Sequence, residues 1–250
     1  MGEHRGQDVA QLLAKEHRTV SRVTTILELV AAERSGLRLG ALAEALDAPK
    51  SSIFGLVKGL VSSGYLTEND GRYALGPALA HLLTVGPRPV LAEALQPMLD
   101  QLRDLFDETV SLGTLVGGSV VYVAVAESAQ VIRYSPPLRH RRPLYPPSAG
   151  KVFLAHWPDR RRQAYLEAHV PASLRAEAEQ ELARIRTEGV AYNHGETVPD
   201  LTAAAAPVTV NDRVAAAIAI AGPSSRVEPV LDEMSVALRD VVTEAGRLLL

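Results

Sequence analysis

Three apolar stripes at helical spacing follow one another in the first third of the chain, and the period then changes. Over His17 to Glu33, Val20, Val23, Ile26, Leu27 and Val30 mark a first helix, broken by Ser35-Gly36. Leu39 to Leu46 predicts a short second helix that Asp47-Ala48-Pro49 interrupts. In the third, Ile53, Leu56, Val57, Leu60 and Val61 fall at i, i+3, i+4, i+7 and i+8, so one stripe faces a core. The opposite stripe, Lys50, Ser51, Phe54, Gly55, Lys58 and Ser62, is left free. Pro49 suits the first helical position and Gly64 the left-handed stop. Tyr65 to Glu68 and Arg72 to Leu75 then read as strands joined by Asn69, Asp70 and Gly71, residues that tolerate positive φ in a tight turn. This order predicts a winged helix-turn-helix over 17–80, with the helix-turn-helix at about 39–63 and the wing at 65–75, behind a polar lead-in at 1–16.

Gly86-Pro87-Arg88-Pro89 forbids a continuous helix and marks a boundary, so 81–108 reads as a linker with its own helix. Leu91, Leu95, Leu99, Leu102 and Phe106 trace a narrow stripe on that helix, which Pro97 is expected to kink or restart. A stripe of this kind suits bridging domains or pairing with a second copy. From Thr109 strands take over: Thr109 to Val116 and Ser119 to Ala126 flank Gly117-Gly118, and Val131 to Tyr134 is a candidate third strand. Arg139, His140, Arg141 and Arg142 read as a basic loop, fitting a solvated turn better than an oligomer contact or an anionic-ligand site. Helices are predicted over Lys151–Trp157, Arg160–Ala168 and Ser173–Thr187, strands over Val190–His194, Thr202–Val210 and Arg213–Ala221, and a closing amphipathic helix from about Val227. Helices laid on an antiparallel sheet make 109–250 an α+β domain.

Composition narrows the class. The chain is 47% hydrophobic and 22% charged, and no apolar run approaches the roughly 20 residues that cross a bilayer. The N-terminal stretch carries Glu3, His4, Arg5 and Asp8 and no signal-peptide core, so a cytoplasmic protein without a membrane partner is expected. The absence of cysteine excludes disulfides, thiolate zinc sites and cysteine nucleophiles. Net charge is −3, and residues 17–75 carry seven basic against six acidic side chains, 7 − 6 = +1. Nucleic-acid binding must therefore rest on where charges sit.

The seven histidines show no metal-ligand spacing, and neither Ser148 nor Ser173 sits in a nucleophile elbow, so no metal, cofactor or catalytic residue is expected. Ala149-Gly150-Lys151 resembles a phosphate loop only superficially, because Tyr145 stands where glycine is required and Val152 where Ser or Thr is. On the third helix, Lys50 and Lys58 suit phosphates, while Ser51, Ser52 and Phe54 suit base edges, an aromatic ring being able to meet a thymine methyl.

Two further motifs, joined to the winged helix, resemble the IclR family of bacterial transcriptional regulators. One is Pro147-Ser148-Ala149-Gly150-Lys151-Val152-Phe153-Leu154-Ala155. The other is Gly189-Val190-Ala191-Tyr192-Asn193-His194-Gly195-Glu196, followed by Ala205-Ala206-Pro207-Val208 and Ala221-Gly222-Pro223. Gly71 to Pro77 is similar to the family's wing exit and Glu108-Thr109-Val110 to its entry into the effector domain, so the resemblance spans about 17–245. It implies a regulator with a GAF-like C-terminal domain that binds a small organic acid or aromatic effector. It also implies a double-stranded DNA operator and a homodimer or homotetramer as the working form.

The same resemblance implies site residues. Family members usually carry arginine where this chain has Gly55, so either Arg18, Arg22 and Arg72 make the missing DNA contacts or the protein binds DNA weakly. Ala149 and Gly150 are implied to bring backbone close to the effector, with helix packing as the alternative. Ala203, Ala219 and Ala221 stand where many relatives have Cys or Ser. Hydroxyl donors for a small oxyacid are then missing, and a larger or more apolar effector, or none, is expected. Asn193, Glu196 and Thr202 remain as polar candidates, Asn193 and Glu196 fitting equally well as structural partners of their loop. The reading is a ligand-responsive regulator of a metabolic operon and not an enzyme; the alternatives are an enzyme or a ligand-independent interaction protein with an accessory winged helix.

Overall fold

The computed structural model describes residues 17–33, 35–79 and 90–249, and the chain divides into two compact units, 1–88 and 89–250. The lead-in at 1–16 and the Gly86-Pro87-Arg88-Pro89 boundary lie outside the described residues.

In the first unit α1 (Arg18–Ala32), β1 (Leu37–Arg38), α2 (Leu39–Ala45), α3 (Lys50–Ser62), β2 (Leu66–Asn69) and β3 (Arg72–Leu75) follow in order. The predicted stripes meet in one core: Ile26 and Val30, Leu42 and Ala43, then Ile53, Val57 and Leu60, closed by Leu66 and Tyr73 of the hairpin. Burying these side chains is what holds so short a helical set together, since helices of 7 and 13 residues are marginal alone. Pro49 stands one position earlier than expected, as the N-cap of α3. Its carbonyl accepts the N–H groups of Ser52 and Ile53 at 3.0 and 3.3 Å, and its missing donor is not needed there. Asp70 and Gly71, at φ 51° and 70°, form the hairpin turn whose twist matches the strands. Strand β1, too short to show any alternation, was not anticipated. It pairs Leu37 with Tyr73 and Arg38 with Arg72, giving a three-stranded sheet in the order β1-β3-β2.

The second unit opens with α4 (Val90–Phe106), β4 (Thr109–Val116), β5 (Ser119–Ala126), β6 (Arg141–Pro143), α5 (Ser148–Ala155), α6 (Asp159–His169) and α7 (Arg175–Glu188). It closes with β7 (Ala191–His194), β8 (Leu201–Val210), β9 (Arg213–Pro223), α8 (Ser224–Val227) and α9 (Leu231–Leu248). The strands make one antiparallel sheet in the order β6-β5-β4-β9-β8-β7. Alternation sends Ala204, Ala206, Val208, Ile218 and Ile220 to a core shared with α4 and α9. Ala205, Ala217 and Ala219 turn to a second core beneath α5, α6 and α7. A bulge between Leu112 and Gly113 shifts the β4–β5 register, so Tyr122 and Ala124, two residues apart, enter opposite cores.

Four expectations are corrected here. The helix does not restart at Pro97, which lies within a continuous α4, because Leu95, Met98 and Leu99 on either side of it are buried and their packing outweighs the roughly 3 kcal/mol that an interior proline costs. The centre of the α4 stripe is not a free surface for a second copy. Leu95, Leu99 and Leu102 are buried in this unit's own core, where α4 packs on β4, β5 and α9. Val131 to Tyr134 is no strand, and its Val131 and Ile132 are 95% and 74% exposed. Arg141 and Arg142 belong to β6, the edge strand paired with β5, and not to a loop. No helix among the described residues is long and apolar enough to cross a membrane.

Candidate nucleic-acid interface and ligand cavity

The outward face of α3 is built as the spacing requires. Lys50, Ser51, Ser52, Phe54, Gly55 and Lys58 are all exposed, and α3 contains no acidic residue. Phe54 leaves 46% of its surface in solvent, a large apolar group with no partner in the core. Lys58 Nζ lies 2.7 Å from Glu68 Oε2 on β2 and 5.6 Å from the centre of the Phe54 ring. The hydrogen bond that Lys58 donates to Glu68 holds its ammonium above its usual pKa. Arg72 Nη1 donates to the Gly36 carbonyl at 3.0 Å, which anchors the wing and engages part of that guanidinium. Arg18 is exposed and Arg22 half-buried on the first turns of α1.

Arg38 was not singled out from sequence. The β1–β3 register sets it directly opposite Arg72, and its guanidinium lies beside the turn at Gly71. Like charges facing each other across strands destabilise a sheet unless an anion bridges them. Such a pair therefore suits a phosphate backbone. The only signal in the sequence was an isolated arginine ahead of α2, too little to place it on a strand.

In the second unit a narrow cavity opens on the α5 side of the sheet. Ala203, Ala219 and Ala221 form its apolar wall, and Asn193, Ser111, Ser148, Thr197, Tyr122, Tyr134 and Arg142 supply polar groups. In this conformation about 20 Å³ is open to the centre of a water-sized sphere, roughly room for one water. The three alanines line this cavity, and, contrary to the expectation from sequence, hydroxyls are present in it. They come from Ser111, opposite Ala219 on β4, from Ser148 at the start of α5, and from the two tyrosines. Burial pushes the Tyr122 phenol up to about 12, so at neutral pH it is a neutral donor. Arg142 was expected in a solvated turn. Instead its Cζ stands 5.5 Å from the centre of the Tyr122 ring.

The remaining predicted residues are not brought to the cavity lining. Ala149 is buried in the α5 core, and a β-carbon on Gly150 would come within 2.5 Å of the Leu144 carbonyl oxygen. Both positions serve close packing of α5. Glu196 is held by Lys151, whose Nζ lies 2.7 Å from Glu196 Oε2 and 2.7 Å from Glu181 Oε1 and donates to the Tyr192 carbonyl at 2.9 Å. Lys151 is 1% exposed. The lysine of the Gly-Lys motif is therefore the buried pin joining α5, α7 and the β7–β8 loop. Thr202 points through the opposite face of the sheet from Ala203, with its Oγ1 2.8 Å from Ser224 Oγ and 3.3 Å from Glu228 Oε1. Asn193 does line the cavity, and its Nδ2 also donates to the Pro146 carbonyl and Thr197 Oγ1 at 3.0 and 2.9 Å.

A winged helix whose α3 carries no acidic residue, in one chain with an α+β domain that encloses a polar cavity, defines a class: DNA-binding transcriptional regulators with a separate C-terminal domain. Comparison with known sequences narrows it. Residues 87–246 match the bacterial transcriptional regulator IclR C-terminal family and residues 19–70 the IclR helix-turn-helix domain. The chain belongs to the IclR family. It is 31% identical to the HTH-type transcriptional regulator BhcR of Paracoccus denitrificans, over 92% of this chain and 85% of that protein. To TtgV, an HTH-type transcriptional regulator of Pseudomonas putida, it is 28% identical over 88% and 86% of the two. Among solved structures, an IclR homologue from Microbacterium hydrocarbonoxydans in complex with 4-hydroxybenzoate superposes with a TM-score of 0.74 at 21% identity, covering 92% of this chain and 98% of that one.

Proposed function

We propose that this protein is a ligand-responsive regulator of a metabolic operon in the cytoplasm. It acts as a homodimer or homotetramer that places α3 of each copy in the major groove of a two-fold operator. Lys50 and Lys58 meet phosphates together with Arg18, Arg22, Arg38 and Arg72, while Ser51, Ser52 and Phe54 approach base edges. The cavity beneath α5 takes a small organic acid or aromatic effector, a reading supported by the 4-hydroxybenzoate bound to the Microbacterium relative. The observation that carries the proposal is the polar cavity itself: among the described residues its lining combines a guanidinium, hydroxyls and an amide with an apolar wall and holds neither carboxylate nor histidine, a composition suited to binding an organic acid.

Ligand acts by preferring one arrangement of the sheet and its helices, and only a difference in affinity between two states can shift operator binding. Because Leu95, Leu99 and Leu102 are buried against the sheet, a change there moves α4. The test is binding of the purified chain to the DNA upstream of its own gene, with and without candidate acids. Binding no tighter than to scrambled DNA of the same length would overturn the operator assignment.

A further inference from the structure

We propose that Arg142 is the anion anchor of the cavity, so that the ligand enters as a carboxylate whose charge pairs with this guanidinium. The inference rests on the sensor reading above and adds the residue that selects the ligand. Strand β6 carries the side chain, with Arg142 in register with Val120 of the neighbouring strand. The guanidinium lies over the Tyr122 ring, 5.5 Å from its centre, a contact that fixes its position without consuming an N–H.

Its Nε is buried and finds no acceptor among the described residues. Three other cations with buried or half-buried side chains are each met by carboxylates. Lys151 has Glu181 and Glu196, Arg162 has Asp159 and Glu179, and Arg226 has Glu108. Arg142 instead faces a cavity whose lining, among the described residues, contains no carboxylate. A buried guanidinium donor without a partner is costly, and the group that best matches its planar fork is a carboxylate taken in two parallel hydrogen bonds. Neutral hydroxyls of Ser111, Tyr134 and Ser148 can meet a second polar end, while Ala203 and Ala219 supply a flat apolar wall. With about 20 Å³ open, ligand entry displaces side chains, and Arg142 and Tyr134 are half-buried members of the lining able to move.

The experiment is calorimetry on the full chain with matched acids and amides: benzoate and benzamide, phenylacetate and phenylacetamide, pyruvate and pyruvamide. Wild type, Arg142→Met, Arg142→Gln and Arg142→Lys are compared, with thermal melting and ligand-free operator affinity as controls. At least one acid should bind wild type about tenfold or more tightly than its amide, the scale of a charge-assisted hydrogen bond. That ratio should fall to near one in Arg142→Met and Arg142→Gln and be partly kept in Arg142→Lys. A purely structural role would lower the melting temperature and leave the ratio unchanged. Should Arg142→Met not fold, the ratio in Arg142→Gln decides. An unchanged ratio in the variants, or an amide that binds wild type as well as its acid, overturns the anchor and leaves the sensor reading standing. No binding by any pair overturns both.

Discussion

Lys58 Nζ and Glu68 Oε2 stand 2.7 Å apart, so the outward face of α3 and the wing are joined by an ion pair on the surface assigned to DNA. With side chains 47% and 30% exposed, the pair is screened and adds little to stability. Its consequence is for binding, because a phosphate must compete with Glu68 for the ammonium. Glu68→Gln should therefore tighten binding to non-specific duplex at low salt and steepen the log–log salt dependence. Lys58→Ala should weaken binding across sequences and flatten that slope by about one unit per site, about two for a dimer on its operator. Anisotropy titrations over a salt series check both. Unchanged affinity and slope in Lys58→Ala would show that α3 is not placed against the backbone as assigned.

A second prediction concerns α4. Leu95 is fully buried in the core of the second unit, so Leu95→Glu puts an unpaired carboxylate into that core, a cost of several kcal/mol. Urea denaturation should show the second unit unfolding at much lower denaturant, whereas a role in self-association would lower the sedimenting mass of a still-folded chain.

A third follows from Gly222. A β-carbon there would stand 2.2 Å from the Glu108 carboxylate oxygen, which is buried and bonded to Arg226. Gly222→Ala must push the carboxylate from its partner and should destabilise by about 3 kcal/mol or more. Glu108→Ala combined with Gly222→Ala should recover part of the loss, and denaturation of the two variants against wild type measures it.

The motifs that carried the family resemblance prove to be mostly packing signals. Glu108, Gly222, Gly150 and Lys151 hold elements together, and a spacing motif cannot tell such a pin from a ligand contact. Helices and hairpins of the first unit were legible because amphipathic period, a proline cap and an Asp-Gly turn each have a local cause. Strand β1 was not, since two residues carry no period. Of the residues proposed for the effector, Ala203, Ala219, Ala221 and Asn193 line the cavity, while Thr202 belongs to the other face, which strict alternation beside Ala203 already requires. Arg142 was read into a solvated turn because its strand pairs with a segment about twenty residues away, and the bulge that turns Tyr122 toward it has no local signature.

A fourth prediction is a pH dependence. The Tyr122 phenol is raised from its ordinary 10 to about 12 by burial, so the folded state keeps a proton that the unfolded chain releases. The stabilising contribution is fully present below pH 10 and is lost as pH rises toward 12, with a slope of about 1.4 kcal/mol per pH unit. Tyr145 is raised in the same direction by burial, Glu181 and Glu196 and adds to the alkaline loss. Tyr122→Phe should reduce the fall in stability between pH 10 and 12, and equal slopes in both proteins would contradict the assignment.

The central claim, that one chain couples operator binding to occupancy of the cavity beneath α5, is tested most directly by operator titrations of wild type and Ala219→Leu. Each is run with and without an acid shown by calorimetry to bind wild type. Ala219 lines the cavity and is 2% exposed, so the larger side chain fills that space and leaves the sequence of α3 unchanged. Wild type should show an operator affinity that changes by about 5- to 150-fold with ligand, and Ala219→Leu should bind the same DNA with no change on ligand addition. An equal ligand effect in both proteins, or none in wild type at saturating acid, would contradict the coupling.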